Sequence, residues 1–252
     1  MASTFPRWKD DTLPNFVYEL SKRLTKDFDI SVLAPSYPNS KDEEIMEGMK
    51  VKRFHYFFHK YEKLAGSGGI LPTIKNNKFY LIQVPFFILG EYLALRKIVK
   101  KDNPDIIHAH WILPQGLVAY LNYKISGTPY VLTSHGSDIF AMKKFNLIKK
   151  LILRNAKKIT LVSNAIKEEV LTKIDKNLNL EVIPMGVDTK LFNPNKKDNT
   201  LRKKYNIQGK FLLFVGRLSP EKGISYLIEA MPSVIRYSPR TKLIIIGDGT
   251  IK

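Results

Sequence analysis

The cations of one short loop are the residues of this sequence best placed to do chemistry. Arg217 and Lys222 follow the apolar run 211–215 and precede a segment whose apolar residues have helical spacing, and Gly216 begins the loop. Side-chain cations beside the free amides of a helix N-terminus attract phosphate. The loop therefore predicts a phosphate-bearing ligand, although it fits neither a P-loop nor a dinucleotide fingerprint. The plainer interpretation is a turn at Gly216 with two solvated cations.

Histidines mark the ends of two apolar runs in the first half of the chain. His135 follows the run 130–134, and ligands of open α/β sheets bind at the carboxyl ends of strands. We take His135 as the strongest candidate there, against the alternative of a partly buried histidine bonded to backbone. His108 and His110 are two apart and share one face of a strand. No third ligand stands nearby at a metal-site spacing, so we expect no metal.

Composition limits the classes of protein that need to be considered. The chain has 252 residues, 44% of them hydrophobic, which suits a globular α/β protein. It has no Cys, which excludes disulfides and thiol catalysis and fits a cytoplasmic location. The net charge of +18 favours anionic partners, but no nucleic-acid motif accompanies it. No signal peptide is visible, and polar residues interrupt the apolar run 79–95, so we expect a soluble or peripheral protein.

The elements that must position these residues alternate along the chain, as in a parallel α/β sheet. Apolar runs predict strands at 30–34, 51–58, 106–110, 130–134, 158–162, 180–188, 210–215 and 242–246. Helical spacing predicts helices near 13–24, 80–101, 114–126, 143–158 and 223–236, and Ser163 can cap a further helix. The segments 35–48 and 60–78 are expected to be loops, the second one mobile.

Several motifs together resemble the family 4 glycosyltransferases of the GT-B fold. They are the Phe-Pro-Arg opening, His-x-His-Trp at 108–111, His-Gly-x-Asp at 135–138, Pro-x-Gly-Val-Asp at 184–188 and Gly-Arg-Leu-x-x-Glu-Lys-Gly at 216–223. The resemblance implies a Rossmann-like acceptor-side domain at 1–194, a linker at 195–200, and the first part of a Rossmann-like donor-binding domain at 201–252. An apolar strand precedes the Phe-Pro-Arg segment in the family, whereas only Met1 and Ala2 precede this segment here. We therefore expect a fragment truncated at both ends, lacking its first strand, with weak or no turnover alone.

The resemblance also implies a reaction and its residues. The family transfers sugar from a nucleotide-sugar donor to an acceptor hydroxyl with retention of configuration, without a metal or cofactor. The donor diphosphate is bound at Gly216, Arg217 and Lys222. His135 touches the transferred sugar and is the catalytic candidate. The residues implied to lie in the cleft or near substrate are Arg7, His110, Gly136 and Asp138.

We expect a role in glycan, glycolipid or cell-surface polysaccharide synthesis. The acceptor could be lipid-linked, because lysines and aromatic residues at 57–79 suit an anionic membrane surface on its cytoplasmic side. A plain exposed loop is the alternative for that segment. Two other functions stay open: a GT-B nucleotide-sugar epimerase, and a truncated, non-catalytic protein that binds an anionic surface or a partner.

Overall fold

The chain forms two compact units, Met1–Gly186 and Val187–Lys252. The computed structural model describes residues 1–8, 11, 16–65, 69–249 and 251. Residues 66–68 of the predicted loop 60–78 and residues 13–15 of the predicted helix 13–24 lie outside these described residues.

The first unit alternates helices and strands. Its elements are α1 (Phe16–Leu24), β1 (Ser31–Pro35), β2 (Glu43–Met46), β3 (Met49–Phe54), α2 (Ile70–Asn76), α3 (Gln83–Asp102), β4 (Ile107–His110), α4 (Leu117–Ser126), β5 (Tyr130–Ser134), α5 (Ser137–Phe140), α6 (Asn146–Asn155), β6 (Lys158–Leu161), α7 (Asn164–Lys173) and β7 (Leu180–Val182). Short 3₁₀ segments occur at His59–Tyr61, Lys78–Ile82 and Lys143–Phe145, and a π-helical turn, Ile112–Gly116, precedes α4.

Two sheets make up the first unit. β4, β5, β6 and β7 are parallel and adjacent in that order, while β3 pairs with β1 in parallel and with β2 in antiparallel fashion. Met1 and Ala2 bridge the two sheets, since Ala2 N donates to Leu33 O at 3.1 Å and His110 N donates to Met1 O at 3.0 Å. The residues before the Phe-Pro-Arg segment therefore lie at the central position between β1 and β4.

The core of the first unit lies between its sheets and helices. Phe87, Leu95 and Ile98 of α3 pack with Leu132 of β5 and Ile152 of α6. Burying an apolar side chain of this size is worth roughly 1.5–3 kcal/mol. In β5, four of the five residues are buried, because both faces of this strand are covered.

The second unit is built around one parallel strand pair. It contains α8 (Asn199–Lys204), β8 (Phe211–Val215), α9 (Ile224–Tyr237) and β9 (Lys242–Ile246), with 3₁₀ segments at Pro194–Lys196 and Pro220–Lys222. β8 pairs with β9 in register from Phe211 with Lys242 to Val215 with Ile246. The predicted α/β fold is confirmed, including the strand, loop and helix of the second unit.

Some element predictions were wrong in their extent. β2 and α2 lie in segments predicted as loops, because the acidic residues of 43–46 and the Gly and Pro around 70–76 hid them. The strand predicted at 51–58 ends at Phe54, and the helix predicted at 143–158 is regular only from Asn146 to Asn155.

One stretch of the described chain, Lys78–Asp102, is long and apolar enough to cross a membrane by length and composition, which the interrupted run did not lead us to expect. Core helices of soluble proteins can pass the same test. α3 contributes Phe87, Leu95, Ile98 and Val99 to the core of the first unit, so one face of this stretch packs inside the fold.

Candidate active site

A pair of hydrogen-bonded imidazoles lies at the carboxyl ends of β4 and β5. His110 Nδ1 is 3.1 Å from His135 Nε2, and the two rings are stacked at 5.4 Å. The pairing follows from the parallel register, in which His110 is opposite Thr133, two residues before His135. The two histidine motifs of the sequence therefore meet in one place.

These histidines are held uncharged. Burial lowers the pKa of His135 to about 4. Burial and the neighbouring cationic form of His108 lower the pKa of His110 well below its ordinary value. Burial also lowers the pKa of His108 to about 4, with smaller effects from the chain's amino group and His135. At neutral pH the cluster offers neutral donors and acceptors, because desolvation disfavours the charged imidazole.

His108 extends the cluster away from His135. Its ring stacks on His110 at 4.3 Å, so both side chains lie on one face of β4 as their spacing predicted. Its Nε2 is 2.8 Å from Thr133 Oγ1, which in turn is 2.6 Å from Thr160 Oγ1. A chain of polar groups thus crosses β4, β5 and β6 beneath the His110–His135 pair.

Aromatic rings surround His135. The centroids of Phe16 and Trp111 each lie 4.8 Å from the imidazole centroid. Phe16 and Trp111 also pack edge to face at 5.9 Å. These contacts fix the orientation of the ring and explain its desolvation.

Gly136 turns the backbone from β5 into α5. Its φ of 97° lies in a region that residues with a Cβ rarely adopt, and a Cβ there would be 3.1 Å from Ile166 Cδ1. Glycine is therefore needed to place His135 at the end of its strand.

Asp138 lies inside the unit rather than at its surface. Its side chain accepts a hydrogen bond from Ile112 N at 2.6 Å and another from Ser134 Oγ at 2.8 Å, and the residue is 1% exposed. Burial raises the pKa of this carboxyl group, and the two hydrogen bonds oppose that rise. This geometry makes Asp138 a positioning residue that ties the turn after β4 to the end of β5. The prediction that it lies next to substrate stays a prediction.

Arg7 is held by Asp11 and by two aromatic rings. Its guanidinium donates to both carboxylate oxygens of Asp11, at 2.7 and 2.8 Å, and lies over the rings of Trp8 and Tyr37. Arg7 thus forms a bidentate ion pair with Asp11. The nearness of Arg7 to substrate stays a prediction.

The loop of the second unit presents two exposed cations. Gly216 N donates to Ile246 O at 3.0 Å and Leu218 N donates to Asp248 O at 2.9 Å, which fixes the loop against the end of β9. Gly223 has a φ of 66° and precedes α9. Within the described residues, no hydrogen bond or ion pair engages the side chain of Arg217 or Lys222, both of which are exposed. Both cations are accessible to an anion.

Comparison with known families decides the identity of this fold. The family model described as Glycosyltransferase Family 4 matches residues 13–191, and the model described as Glycosyl transferases group 1 matches residues 197–252. The first match alone covers more than half of the chain. The chain belongs to glycosyltransferase family 4.

Curated relatives of this family 4 chain come from several organisms. It is 31% identical over 219 residues to the uncharacterized glycosyltransferase MJ1178 of Methanocaldococcus jannaschii, covering 83% of the chain and 55% of that protein. It is 33% identical over 169 residues to Bacillus subtilis TuaC, whose name assigns it to teichuronic acid biosynthesis, covering 63% of the chain and 42% of that protein. A third relative is an Escherichia coli protein named UDP-Gal:alpha-D-GlcNAc-diphosphoundecaprenol alpha-1,3-galactosyltransferase. It is 29% identical over 172 residues, covering 63% of the chain and 44% of that protein. The chain spans about half the length of the curated relatives it matches.

Solved structures share the fold. Sucrose-phosphate synthase from Thermosynechococcus elongatus matches with a TM-score of 0.68 and 19% identity, covering 91% of the chain and 55% of that structure. Anabaena HepE in complex with UDP-glucose matches with a TM-score of 0.58 and 16% identity, covering 92% of the chain and 56% of that structure. These likenesses confirm the GT-B type of fold.

Arg53 holds the Phe-Pro-Arg loop in place, a role that the sequence analysis did not predict. Its buried Nη2 donates to Pro6 O at 3.0 Å and to Glu44 Oε1 at 2.6 Å, so it anchors the Phe-Pro-Arg loop to β3 and β2. One signal was available, because strand alternation puts Arg53 on the same face as the buried Val51. An arginine on a buried strand face needs partners, which here come from distant parts of the chain.

Proposed function

We propose that the protein containing this chain transfers a glycosyl group from a nucleotide-sugar donor to an acceptor hydroxyl, with retention of the anomeric configuration. The observation that carries the proposal is the neutral His110–His135 pair at the carboxyl edge of a parallel sheet in a family 4 chain. Ligands of open α/β folds bind at that edge.

The His110–His135 pair suits a sugar better than it suits an anion. A neutral imidazole donates from one ring nitrogen and accepts at the other, so it can bond to hydroxyl groups without adding charge. Since His110 uses Nδ1 toward His135 Nε2, the Nδ1 atom of His135 is left to bond a ligand hydroxyl. We assign His135 to the transferred sugar and His110 to holding its ring.

The second unit supplies the charge that the reaction needs. Negative charge grows on the donor diphosphate as the glycosidic bond breaks, and preorganised cations stabilise charge that develops at that stage. Arg217 and Lys222 are exposed cations before α9, whose free amides add to the attraction for phosphate. Two side-chain cations suffice for this role, so the proposal includes no metal ion and no cofactor.

A uridine nucleotide is the donor to test first. A structural neighbour is a complex with UDP-glucose, and the name of a relative gives UDP-Gal as its donor. The name of that relative also gives a diphosphoundecaprenol-linked acceptor. We propose a UDP-sugar donor and a lipid-linked acceptor in glycan or cell-surface polysaccharide synthesis.

The test uses the protein at its natural length. UDP release and product formation would be followed with a panel of UDP-sugars, and the anomeric proton coupling of the product would report retention. We expect Arg217→Ala to lower the transfer rate at least 100-fold, in line with the loss of a preorganised donor to the developing charge. Arg236→Ala removes another exposed arginine of the second unit and is the matched control. Equal rates for the two variants would contradict the donor-site assignment.

One surface of the first unit suits an anionic membrane. Phe57, Phe86, Leu89 and Leu93 line an open depression, and Phe57 contacts Phe58, which is 71% exposed. Exposed apolar groups beside lysines such as Lys60 bind at the interface of anionic bilayers. We propose that this surface rests on the cytoplasmic face of a membrane and brings the site to a lipid-linked acceptor.

Vesicle flotation tests this surface directly. Leu89→Gln removes an exposed apolar side chain of α3, and Ile228→Gln removes a similarly exposed one of α9 as the matched control. We expect Leu89→Gln to reduce the fraction bound to phosphatidylglycerol vesicles several-fold and the control to leave it unchanged. Equal binding by both variants and the parent would exclude this surface as the membrane contact.

A further inference from the structure

Two histidines and a glutamate converge in the turn that follows β3. His55 Nδ1 is 2.9 Å from Glu62 Oε2, and His59 Nδ1 is 3.2 Å from the same oxygen. The three ligand atoms all lie within 4.8 Å of one another. None of these residues belongs to the His110–His135 site or to the loop that carries Arg217.

We propose that His55, His59 and Glu62 bind a divalent transition-metal ion of the zinc class. Two imidazole nitrogens and a carboxylate oxygen are ligands that zinc accepts, whereas magnesium and calcium prefer oxygen alone. Ligand atoms about 2.0–2.1 Å from a tetrahedral zinc are roughly 3.3 Å from one another. The separations of 2.9 and 3.2 Å are close to that edge length.

The surrounding hydrogen bonds already orient the ligands. Asp42 Oδ1 is 3.0 Å from His55 Nε2, the nitrogen that points away from the cluster. A carboxylate there holds the proton on Nε2 and leaves the lone pair of Nδ1 for a metal, as in carboxylate–histidine–zinc triads. Glu62 Oε1 accepts from Tyr56 N at 2.6 Å and from Phe57 N at 3.1 Å, so Oε2 is left facing both imidazoles.

Exposure leaves room for an ion to enter. The side chains of His55 and His59 are 46% and 52% exposed, while that of Glu62 is fully buried. The buried carboxylate forms the floor of the site and the two imidazoles form its walls. A fourth ligand, such as water, can approach from solvent, which is the arrangement of zinc sites that keep an open position.

The same distances have a second explanation without a metal. Each Nδ1 could carry a proton and donate it to Glu62 Oε2, which would make the cluster a plain hydrogen-bonded turn. The two arrangements differ in what occupies the Nδ1 atoms. In the metal site each Nδ1 lone pair binds the ion and the ring proton lies on Nε2, whereas the plain turn would bind no metal.

The site would hold together the segment that carries the exposed aromatic residues. His55 precedes Tyr56 and Phe57, and His59 begins the 3₁₀ turn that ends at Tyr61. His55 also lines the apolar depression together with Phe57 and Leu89. A bound metal would stiffen this edge of the depression without taking part in sugar transfer.

The experiment is a calorimetric titration of the tag-free, EDTA-treated chain with zinc chloride. We expect one zinc per chain. His59→Ala removes an exposed ligand and should weaken binding at least 100-fold. Asp42→Asn keeps all three ligands and should weaken it about 10–100-fold, the effect typical of losing such a second hydrogen-bond partner.

Lys60→Ala, which changes an exposed neighbour of His59, is the matched control and should bind zinc like the parent chain. Cobalt would serve as a spectroscopic probe, with visible absorption in the parent that is lost in His59→Ala. Circular dichroism would establish that His59→Ala is folded. No zinc binding by the parent chain, or equal affinity for the parent and the His59→Ala variant, would overturn the proposal.

Discussion

At the scale of single residues, His110 and His135 act as uncharged hydrogen-bonding groups because the fold desolvates them. Their rings are enclosed by Phe16, Trp111 and His108. A charged imidazole would be unfavourable there, because desolvation penalises the charged form. Burial thus makes the His110–His135 pair a neutral group, as the proposed contact with a sugar requires.

The buried histidines predict loss of stability in acid. The pKa of His135 is about 4 in the folded chain and ordinarily 6.5, so between these values the unfolded chain binds a proton that the folded chain does not. The free energy of unfolding should therefore fall as the pH drops from about 6.5 to about 4. Urea unfolding at several pH values across this range would measure the change in the free energy of unfolding. His135→Gln cannot titrate and should flatten the slope, whereas an unchanged slope would contradict the assigned pKa.

Gly136 predicts a second effect at the same site. Gly136→Ala places a residue with a Cβ at a positive φ and brings that Cβ close to Ile166. The substitution should cost roughly 1–3 kcal/mol of stability. Gly186→Ala is the control, because a Cβ at Gly186 meets nothing within 4 Å. Thermal unfolding should separate the two variants, and equal midpoints would show that the turn at Gly136 relaxes without cost.

The residue types of the site were predictable, but several of their partners were not. Spacing alone put His108 and His110 on one face, and the strand end identified His135. The contact between His110 and His135 depends on the register of β4 with β5, which the sequence does not display. The burial of Asp138 depends on Ile112 N, which lies 26 residues away in the chain.

At the scale of elements, α3 combines an apolar buried face with one buried acid. Glu91 is fully buried, and Gln115 Nε2 donates to its Oε2 at 3.4 Å. Burial raises the pKa of Glu91 to about 8, an effect that the nearby amino group of Met1 opposes. Glu91 is therefore largely protonated at neutral pH, and its proton lets α3 pack into the core.

This acid predicts a stability difference that grows with pH. From pH 4.5 to about 8 the folded chain keeps a proton on Glu91 that the unfolded chain has lost, so rising pH destabilises the parent chain. Glu91→Gln cannot titrate and should gain stability over the parent by up to roughly 1.4 kcal/mol for each pKa unit crossed. Urea unfolding at pH 5 and pH 8 measures this, with the exposed Glu229→Gln as control. Parallel profiles for parent and Glu91→Gln would contradict a raised pKa.

Element prediction succeeded where apolar runs dominate and failed where packing decides. The strands at 107–110, 130–134, 211–215 and 242–246 were found from the apolar residues they contain, although no residue of β8 or β9 is buried in the structure. β2 was missed because it is an edge strand whose acidic residues remain partly exposed. β2 forms by pairing with the edge of β3 that β1 leaves open. The position of that edge is not encoded in the residues of β2 themselves.

At the scale of the whole molecule, the proposed membrane contact would combine the charge of +18 with the exposed apolar side chains of α3. Charge attracts the chain to any anionic surface over distances of about one Debye length, roughly 10 Å at 0.1 M salt. Under this proposal apolar contact would select one orientation, because only a surface with exposed apolar side chains gains from insertion. General basicity alone would give binding without a preferred face.

The final prediction separates local from general charge. Each lysine near an anionic membrane contributes about 1 kcal/mol, so replacing Lys75 and Lys78 with Gln should weaken binding to phosphatidylglycerol vesicles by about fivefold per residue. The same change at Lys203 and Lys204 of the second unit removes equal charge far from α3 in sequence. We expect that control to have the smaller effect at 0.1 M salt, where screening limits distant charges. Equal losses for the two pairs in a flotation assay would mean that net charge alone holds the chain at the membrane and that the α3 surface sets no orientation.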